Sequence, residues 1–346
     1  MNSETNDQPL YDNPGATLTP AGPIPPTQPS TLRKIFIGKD GIRAGWGLLI
    51  FIAIFAAIAF CINFVGHKLF PSIPKTLKPG QEVPPLAGIL IEGLNFLLVF
   101  FVTWVMSKIE RRPNTVYGFG DERWLPHFLA GLGWGVACVS LVVLTLVKTG
   151  LLVIDSRLLF GGDILRYGAI WLFGFLLVGL SEEYLSRGYL QYTLTRGLTA
   201  IYQRALKSPH SPALGFWTSA VIFSFLFGLG HSKNPGESPI GLLSAGLAAL
   251  VFCFSLWRTG SLWWAIGFHA AWDWGQSFLY GVADSGMMAQ HHLLATHPVG
   301  KPIFSGGTTG PEGSIFTLVV LAFVAIIILF TLPGTHYGRA AAKAHE

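Results

Sequence analysis

Charge is what this sequence has least of. Only 12% of its 346 residues are Asp, Glu, Lys or Arg, about half of the ~25% usual in soluble domains, whereas 51% are hydrophobic. Such a composition excludes an ordinary water-soluble enzyme and implies a polytopic membrane protein. Cysteine is scarce as well: Cys61, Cys138 and Cys253 each stand alone in an apolar run. Lacking metal-type spacing or an obvious pairing, they argue against a disulfide framework and for core packing. The net charge of +5 fits basic loops at a membrane surface and gives no footing for nucleic-acid binding. Three further signals are missing: an internal repeat, an HExxH motif and a cleavable signal peptide. The first apolar run starts far from the N-terminus and has no small-residue cleavage site.

What is present is a series of apolar runs. Residues 1–31, polar and rich in Pro, Thr and Asn, are expected to form a disordered tail. Arg33, Lys34, Lys39 and Arg43 then make a basic approach to the membrane. Eight runs follow, each near the ~20 residues needed to cross the hydrocarbon: Trp46–Val65, Leu86–Met106, Phe128–Val147, Ile170–Leu190, Gly215–Leu229, Leu242–Trp257, Leu262–Tyr280 and Ile315–Leu332. The expected fold is all-α, a transmembrane helix bundle of about eight spans. Residues 32–167 hold the basic approach and spans one to three, 168–280 the core, and 281–346 a connector, the last span and a C-terminal tail. Counting from an inside N-terminus, 15 of the 23 lysines and arginines fall on inner segments. That bias places both termini in the cytoplasm, in an inner (cytoplasmic) membrane.

Against this apolar background three polar groups stand out. Glu182, Glu183 and Arg187 close the fourth run, where each charge at mid-bilayer costs roughly 2.5 kcal/mol or more. Glu183 and Arg187, at i and i+4, share a helix face and can pair. Glu182 points about 100° away, free to handle a proton as a general base. A structural ion pair at a helix end is the plain alternative. His231 ends the fifth run, where a lone histidine also suits an interfacial position. His269 and Asp273, again i and i+4, lie in the tryptophan-rich seventh run, where they can simply hydrogen-bond to each other. Brought together, these residues can activate water, a glutamate taking its proton. Alternatively Glu182, His231, His269 and Asp273 can hold a divalent metal, with zinc the default for mixed N/O donors.

The ordered motifs Glu182-Glu183-x-x-x-Arg187, Phe227-x-x-x-His231 and His269-x-x-x-Asp273 resemble those of the CAAX protease and bacteriocin-processing (CPBP, or Abi) family. These are all-α intramembrane endopeptidases that include the eukaryotic CAAX prenyl endoprotease. The resemblance spans about Ile170–Tyr280, a third of the chain. It implies that Glu182 is the base acting with His231 on water, that Glu183 and Arg187 support it, and that His269 and Asp273 stabilise the oxyanion. The implied substrates are membrane-associated or lipidated peptides, with membrane lipid as the other partner and no nucleic acid. Both a metal-free glutamate mechanism, the one favoured here, and a metalloprotease mechanism are compatible with the motifs.

Two features strain the resemblance. Asp273 stands where the eukaryotic enzyme has Asn, and an ionised Asp cannot donate to an oxyanion. The span limits also put Glu183 near one end of span four and His231 near the opposite end of span five. Cooperation then requires that Arg187–Leu206 continue as helix, or that span five begin deeper. Competing readings are a proton-coupled transporter and a non-catalytic scaffold. Weaker site candidates are His291, His292 and His297 in the connector, and Glu92 with Asn95 in span two. Trp46, Trp124, Trp257, Trp263 and Trp264 read as interfacial anchors.

Overall fold

The computed structural model describes residues 35–38, 41–69, 78–332 and 334. The expected disordered tail, Arg33, Lys34 and Lys39 of the basic approach, and the C-terminal tail lie outside the described residues.

Each of the eight apolar runs forms helix, and the molecule is an all-α bundle. In chain order the helices are α1 (Ala44–Leu69), α2 (Pro85–Glu110), α3 (Trp124–Lys148), α4 (Gly162–Glu183), α5 (Tyr192–Leu206), α6 (Ser211–Gly230), α7 (Pro239–Thr259), α8 (Trp263–Trp274) and α9 (Ile315–Thr331). Six helical stretches among the described residues are long and apolar enough to cross a membrane; α9 is shorter, with 17 residues. Helix α8 has only 12 residues and is sunk in the bundle, with Trp264, Ala265, Ile266, Phe268, Ala270 and Ala271 at most 1% exposed. With its apolar side chains covered by neighbouring helices and His269 and Asp273 turned to the cavity, this run forms the centre of the protein instead of another lipid-facing span. Trp264 is therefore core and not the interfacial anchor its position suggests. Cys61 departs from expectation in the other direction. It is exposed on α1, which packs on the bundle by one side only.

Helices α4 and α5 are one continuous helix of 45 residues, Gly162–Leu206, joined through a π-helical segment at Tyr184–Gln191. At 1.5 Å per residue it is about 68 Å long. This continuity resolves the depth problem. Glu182 lies 24 residues before Leu206, and His231 lies 20 residues beyond Ser211, across the short turn that reverses the chain. The two are thus about 36 and about 30 Å from the same turn, and their levels match.

Close backbone approach sets α8 in place. A Cβ at Gly131 would stand 2.2 Å from the Trp264 carbonyl oxygen, and one at Gly135 2.5 Å from that of Phe268, so α3 meets α8 at a distance that only glycine permits. Small-residue packing of this kind is the usual device for joining helices in lipid, where no hydrophobic force draws them together. On the opposite side Gly179 lets α4 approach Ile266. Glu182 and Glu183 follow Gly179 by one helical turn and His269 follows Ile266 by one, so the contact delivers the acids to the histidine.

The connector Gly281–Ser314, which has no long apolar run, is nevertheless folded. Met288–Ala289 pairs in parallel with Glu82–Val83, and Leu294–Pro298 pairs antiparallel with Leu152–Arg157. These short ladders fix residues 281–314 across one end of the bundle.

Candidate active site

A cavity of about 590 Å³ opens among α2, α4, α6, α7, α8 and the connector. Glu182, His231, His269 and Asp273 all line it, so three runs separated in sequence meet at one polar site in an apolar bundle. Its size is within the ~300–1,000 Å³ common for binding sites.

The wall behind Glu182 is a charge relay built from the first and third motifs. The Arg187 Nη1 donates to Glu183 Oε1 at 2.8 Å, with Glu183 fully buried and Arg187 3% exposed. The same oxygen accepts from His269 Nδ1 at 2.9 Å. Burying an arginine and a glutamate is tolerable only with this matched geometry. The guanidinium also stacks 4.4 Å from the Phe227 ring and 5.5 Å from the Phe252 ring. Phe227 opens the second motif, and this contact ties that motif to the first. The π-helical turns give the arrangement its shape: one begins directly after Glu183 and carries Arg187, and a second, Gly275–Leu279, begins two residues after Asp273. Widened turns of this kind are concentrated at functional sites.

With Nδ1 held by Glu183, His269 turns Nε2 to the cavity, 3.8 Å from Glu182 Oε2 and 3.6 Å from Asp273 Oδ2. Glu182 is partly exposed, while its Oε2 is buried without a hydrogen-bond partner. Its backbone carbonyl accepts from Ser186, whose hydroxyl also accepts from Arg187 Nη1. His231 bonds the carbonyl of Phe227 through Nδ1 at 2.8 Å, so its Nε2 is the nitrogen left for the cavity. Glu182, His231, His269 and Asp273 are metal donors by chemistry, but among the described residues the donor atoms close enough together to hold one ion belong to Asp273, Asp284 and Glu312.

Sequence reading missed two acids. Asp284 and Glu312 come from the connector and line the cavity beside Asp273, their carboxylate oxygens and that of Asp273 all within 4.8 Å of one another. Burial, then the nearby Glu312, pushes the Asp284 carboxyl well above the usual carboxylate range. No motif marks them; a polar connector with scattered acids looks like a solvated loop. Glu92 also lines the cavity and accepts from Asn95 Nδ2 at 3.2 Å. The connector histidines are engaged separately: His291 stacks on Tyr167, His292 meets the Ala289 carbonyl, and the exposed His297 pairs with Asp155.

No curated protein and no solved structure matches the chain. Residues 165–275, the stretch that carries all three motifs, match the family model described as Type II CAAX prenyl endopeptidase Rce1-like, in line with the family those motifs resemble.

Proposed function

We propose that the protein is an intramembrane endopeptidase that hydrolyses peptide bonds of membrane-associated or lipidated peptides with water activated by Glu182. The observation that carries this reading is the single cavity that unites Glu182, His231 and His269, with His269 held from behind by Glu183 and Arg187.

In the proposed reaction Glu182 accepts a proton from water as its oxygen attacks the scissile carbonyl carbon, and His231 orients that water. The carbonyl π-bond opens to an oxyanion. His269, fixed through Nδ1 by Glu183, presents Nε2 toward it and stabilises the charge when that nitrogen carries a proton. Collapse of the intermediate breaks the C–N bond, and the proton held by Glu182 passes to the leaving amine. Arg187 pairs with Glu183, whose same oxygen meets His269 Nδ1, so that the histidine stays in one orientation. Asp273, 3.6 Å from Nε2, positions the ring or, protonated, donates to the oxyanion directly.

A zinc ion held by Glu182, His231, His269 and Asp273 would supply Lewis-acid polarisation and an acidified water at the same place. The membrane setting follows from the apolar helices, and the basic-residue bias orients both termini to the cytoplasm.

The test is cleavage of a quenched apolar peptide by the purified chain in detergent. Wild type is expected to cleave, and Glu182→Ala to be inactive at an unchanged yield of folded protein. Equal cleavage by that variant sinks Glu182 as the base. Chelation followed by elemental analysis separates the two chemistries: full activity in metal-free protein excludes zinc, whereas loss restored by zinc establishes it.

A further inference from the structure

Cleavage inside an apolar cavity sets a problem for the backbone of the substrate. A carbonyl can be attacked only once it has left any helix, and its neighbours then carry N–H and C=O groups that lipid cannot satisfy. Side chains of the cavity wall such as Trp171, Phe175, Val178 and Leu321 are no better as partners, and a polar backbone group left unpaired among them is costly. A free strand edge supplies backbone partners to an extended chain. This cavity has one.

The parallel strands Glu82–Val83 and Met288–Ala289 both line the cavity and form a strap across it. At one end the strap meets the turn between α6 and α7: Gly286 abuts the Pro235 carbonyl too closely for any Cβ, and Pro79 packs at Gly236. At the other end Val83 packs in the cluster of Trp171 on α4, whose Nε1 donates to the Gln290 carbonyl at 2.8 Å. The two edges of the strap differ. Beyond Met288–Ala289 the connector closes in: Asp284 and Met287 exchange backbone bonds of 2.8 and 2.9 Å, and the Gly286 N–H donates to the Thr309 carbonyl at 3.2 Å. The other strand accepts from its partner through the carbonyls of Gln81 and Val83, at 3.2 Å from the Met288 N–H and 3.0 Å from the Gln290 N–H. Bonding residues alternate along a ladder, so the N–H and C=O of Glu82, an exposed residue, point to the outer edge and take no part in it. Pro79 and Pro84 bracket that edge; Pro84 has no N–H, and its carbonyl accepts from the Gly88 N–H at 3.0 Å. The open edge is thus a single residue, too short to invite strand-to-strand aggregation yet able to hold one residue of an extended chain by two bonds.

We propose that the substrate crosses the cavity as an extended segment and adds to the outer edge of Glu82–Val83 as a third strand, one of its residues exchanging backbone hydrogen bonds with the N–H and C=O of Glu82. The occupant is substrate backbone because the edge borders the cavity that holds Glu182, His231 and His269. Selection at this point is by backbone: a segment that stays helical, or that has proline at the paired position, is disfavoured whatever its side chains. This identity of the occupant rests on the endopeptidase reading, and binding tests the pairing independently of turnover.

The experiment measures the affinity of the full-length protein in detergent for fluorescent apolar peptides, in the Glu182→Ala background so that no peptide is consumed. Each peptide amide in turn is replaced by an ester, which removes one N–H and keeps the shape of the chain. At one position the ester is expected to bind about tenfold more weakly, the loss of one hydrogen bond out of water. Positions two or more residues away are expected to change by at most about twofold. Glu82→Pro deletes the outward N–H and leaves the ladder whole, since proline is tolerated where the N–H faces away from the neighbouring strand. It is expected to bind the parent peptide about tenfold more weakly than Glu82→Ala, which lacks the same side chain but keeps the N–H. Should Glu82→Pro fail to fold, the ester scan alone decides. A flat scan overturns the proposal, as does equal affinity of the folded proline and alanine variants, or failure to hold any parent peptide. Cleavage of the parent peptides by wild type is read in parallel. A position-specific loss of binding without any cleavage breaks the endopeptidase reading and leaves the strand pairing intact; cleavage with a flat scan does the reverse.

Discussion

The 45-residue helix Gly162–Leu206 carries two buried acid–arginine clusters, and they differ in what they leave unbalanced. At one, Glu110 on α2 accepts from the Tyr189 hydroxyl at 2.8 Å, with Arg196 at 3.4 Å and Arg112 at 3.6 Å. One carboxylate there faces two guanidinium groups and a phenol, and none of these residues lines the cavity. At the other, Glu182, Glu183 and Asp273 share Arg187 and His269, and the group opens to the cavity. The first cluster has more base than acid, lies away from the cavity and serves to hold α2 against the long helix. The second has more acid than base, an imbalance that needs a proton, a cation or a substrate to settle it. Burial and ion pairing occur at both; excess charge beside a cavity distinguishes the reactive one.

The sharpest test of that contrast is chemical. Glu182→Ala is expected to lower peptide cleavage by about a thousandfold, within the range for loss of a general base, with thermal stability close to wild type. Glu183→Gln removes the charge that holds His269 and balances Arg187. A loss of about a hundredfold is expected, accompanied by destabilisation because Arg187 is left buried beside a neutral amide. If Glu183→Gln kept full activity, the relay through His269 Nδ1 would have no catalytic consequence.

The Glu110 cluster should behave in the opposite way. Glu110→Ala removes the buried carboxylate that Arg196, Arg112 and the Tyr189 hydroxyl share, so a loss of about 3 kcal/mol of stability is expected, read by thermal unfolding in detergent. Cleavage per folded molecule should remain within about twofold of wild type at a temperature where the variant is folded. A large fall in activity with little loss of stability would erase the distinction between the clusters.

Much of this was legible in the chain before its fold was seen. The eight apolar runs are read from composition alone, and the Glu183–Arg187 pair follows from i, i+4 spacing. Charge in an apolar run marked Glu182 and His269, because lipid makes such residues expensive. The continuity of α4 into α5 was legible only as one of two ways to bring Glu182 and His231 to one depth, and packing against α2 and α6, which leaves Arg187, Gln191 and Arg196 buried or partly buried, decides for it. Nor could α8 be told from a spanning helix, since a run apolar on all faces suits both a bilayer and a protein core. Asp284 and Glu312 were the least visible, as their significance lies in short ladders that pull the connector over the cavity.

Excess acid should also appear as a dependence of stability on pH, the smallest of the expected effects. Burial first, and then Glu312, holds the Asp284 carboxyl above its ordinary range in the folded protein. Between the ordinary Asp value of about 3.9 and that raised value, the unfolded chain has released this proton while the folded chain keeps it. The folded state binds more protons there, so stability falls as pH rises through the window. Asp284→Asn deletes the titration. Its stability relative to wild type should therefore rise with pH across that window, as read by unfolding in detergent at stepped pH. The neighbouring Asp273, Glu312 and Glu182 remain in the variant, so the difference between the two curves reports Asp284 together with its interaction with these acids. A difference that stays flat or slopes the other way would mean that the connector end of the cavity carries no excess acid, and the contrast between the two clusters would then rest on Glu182, Glu183 and Asp273 alone.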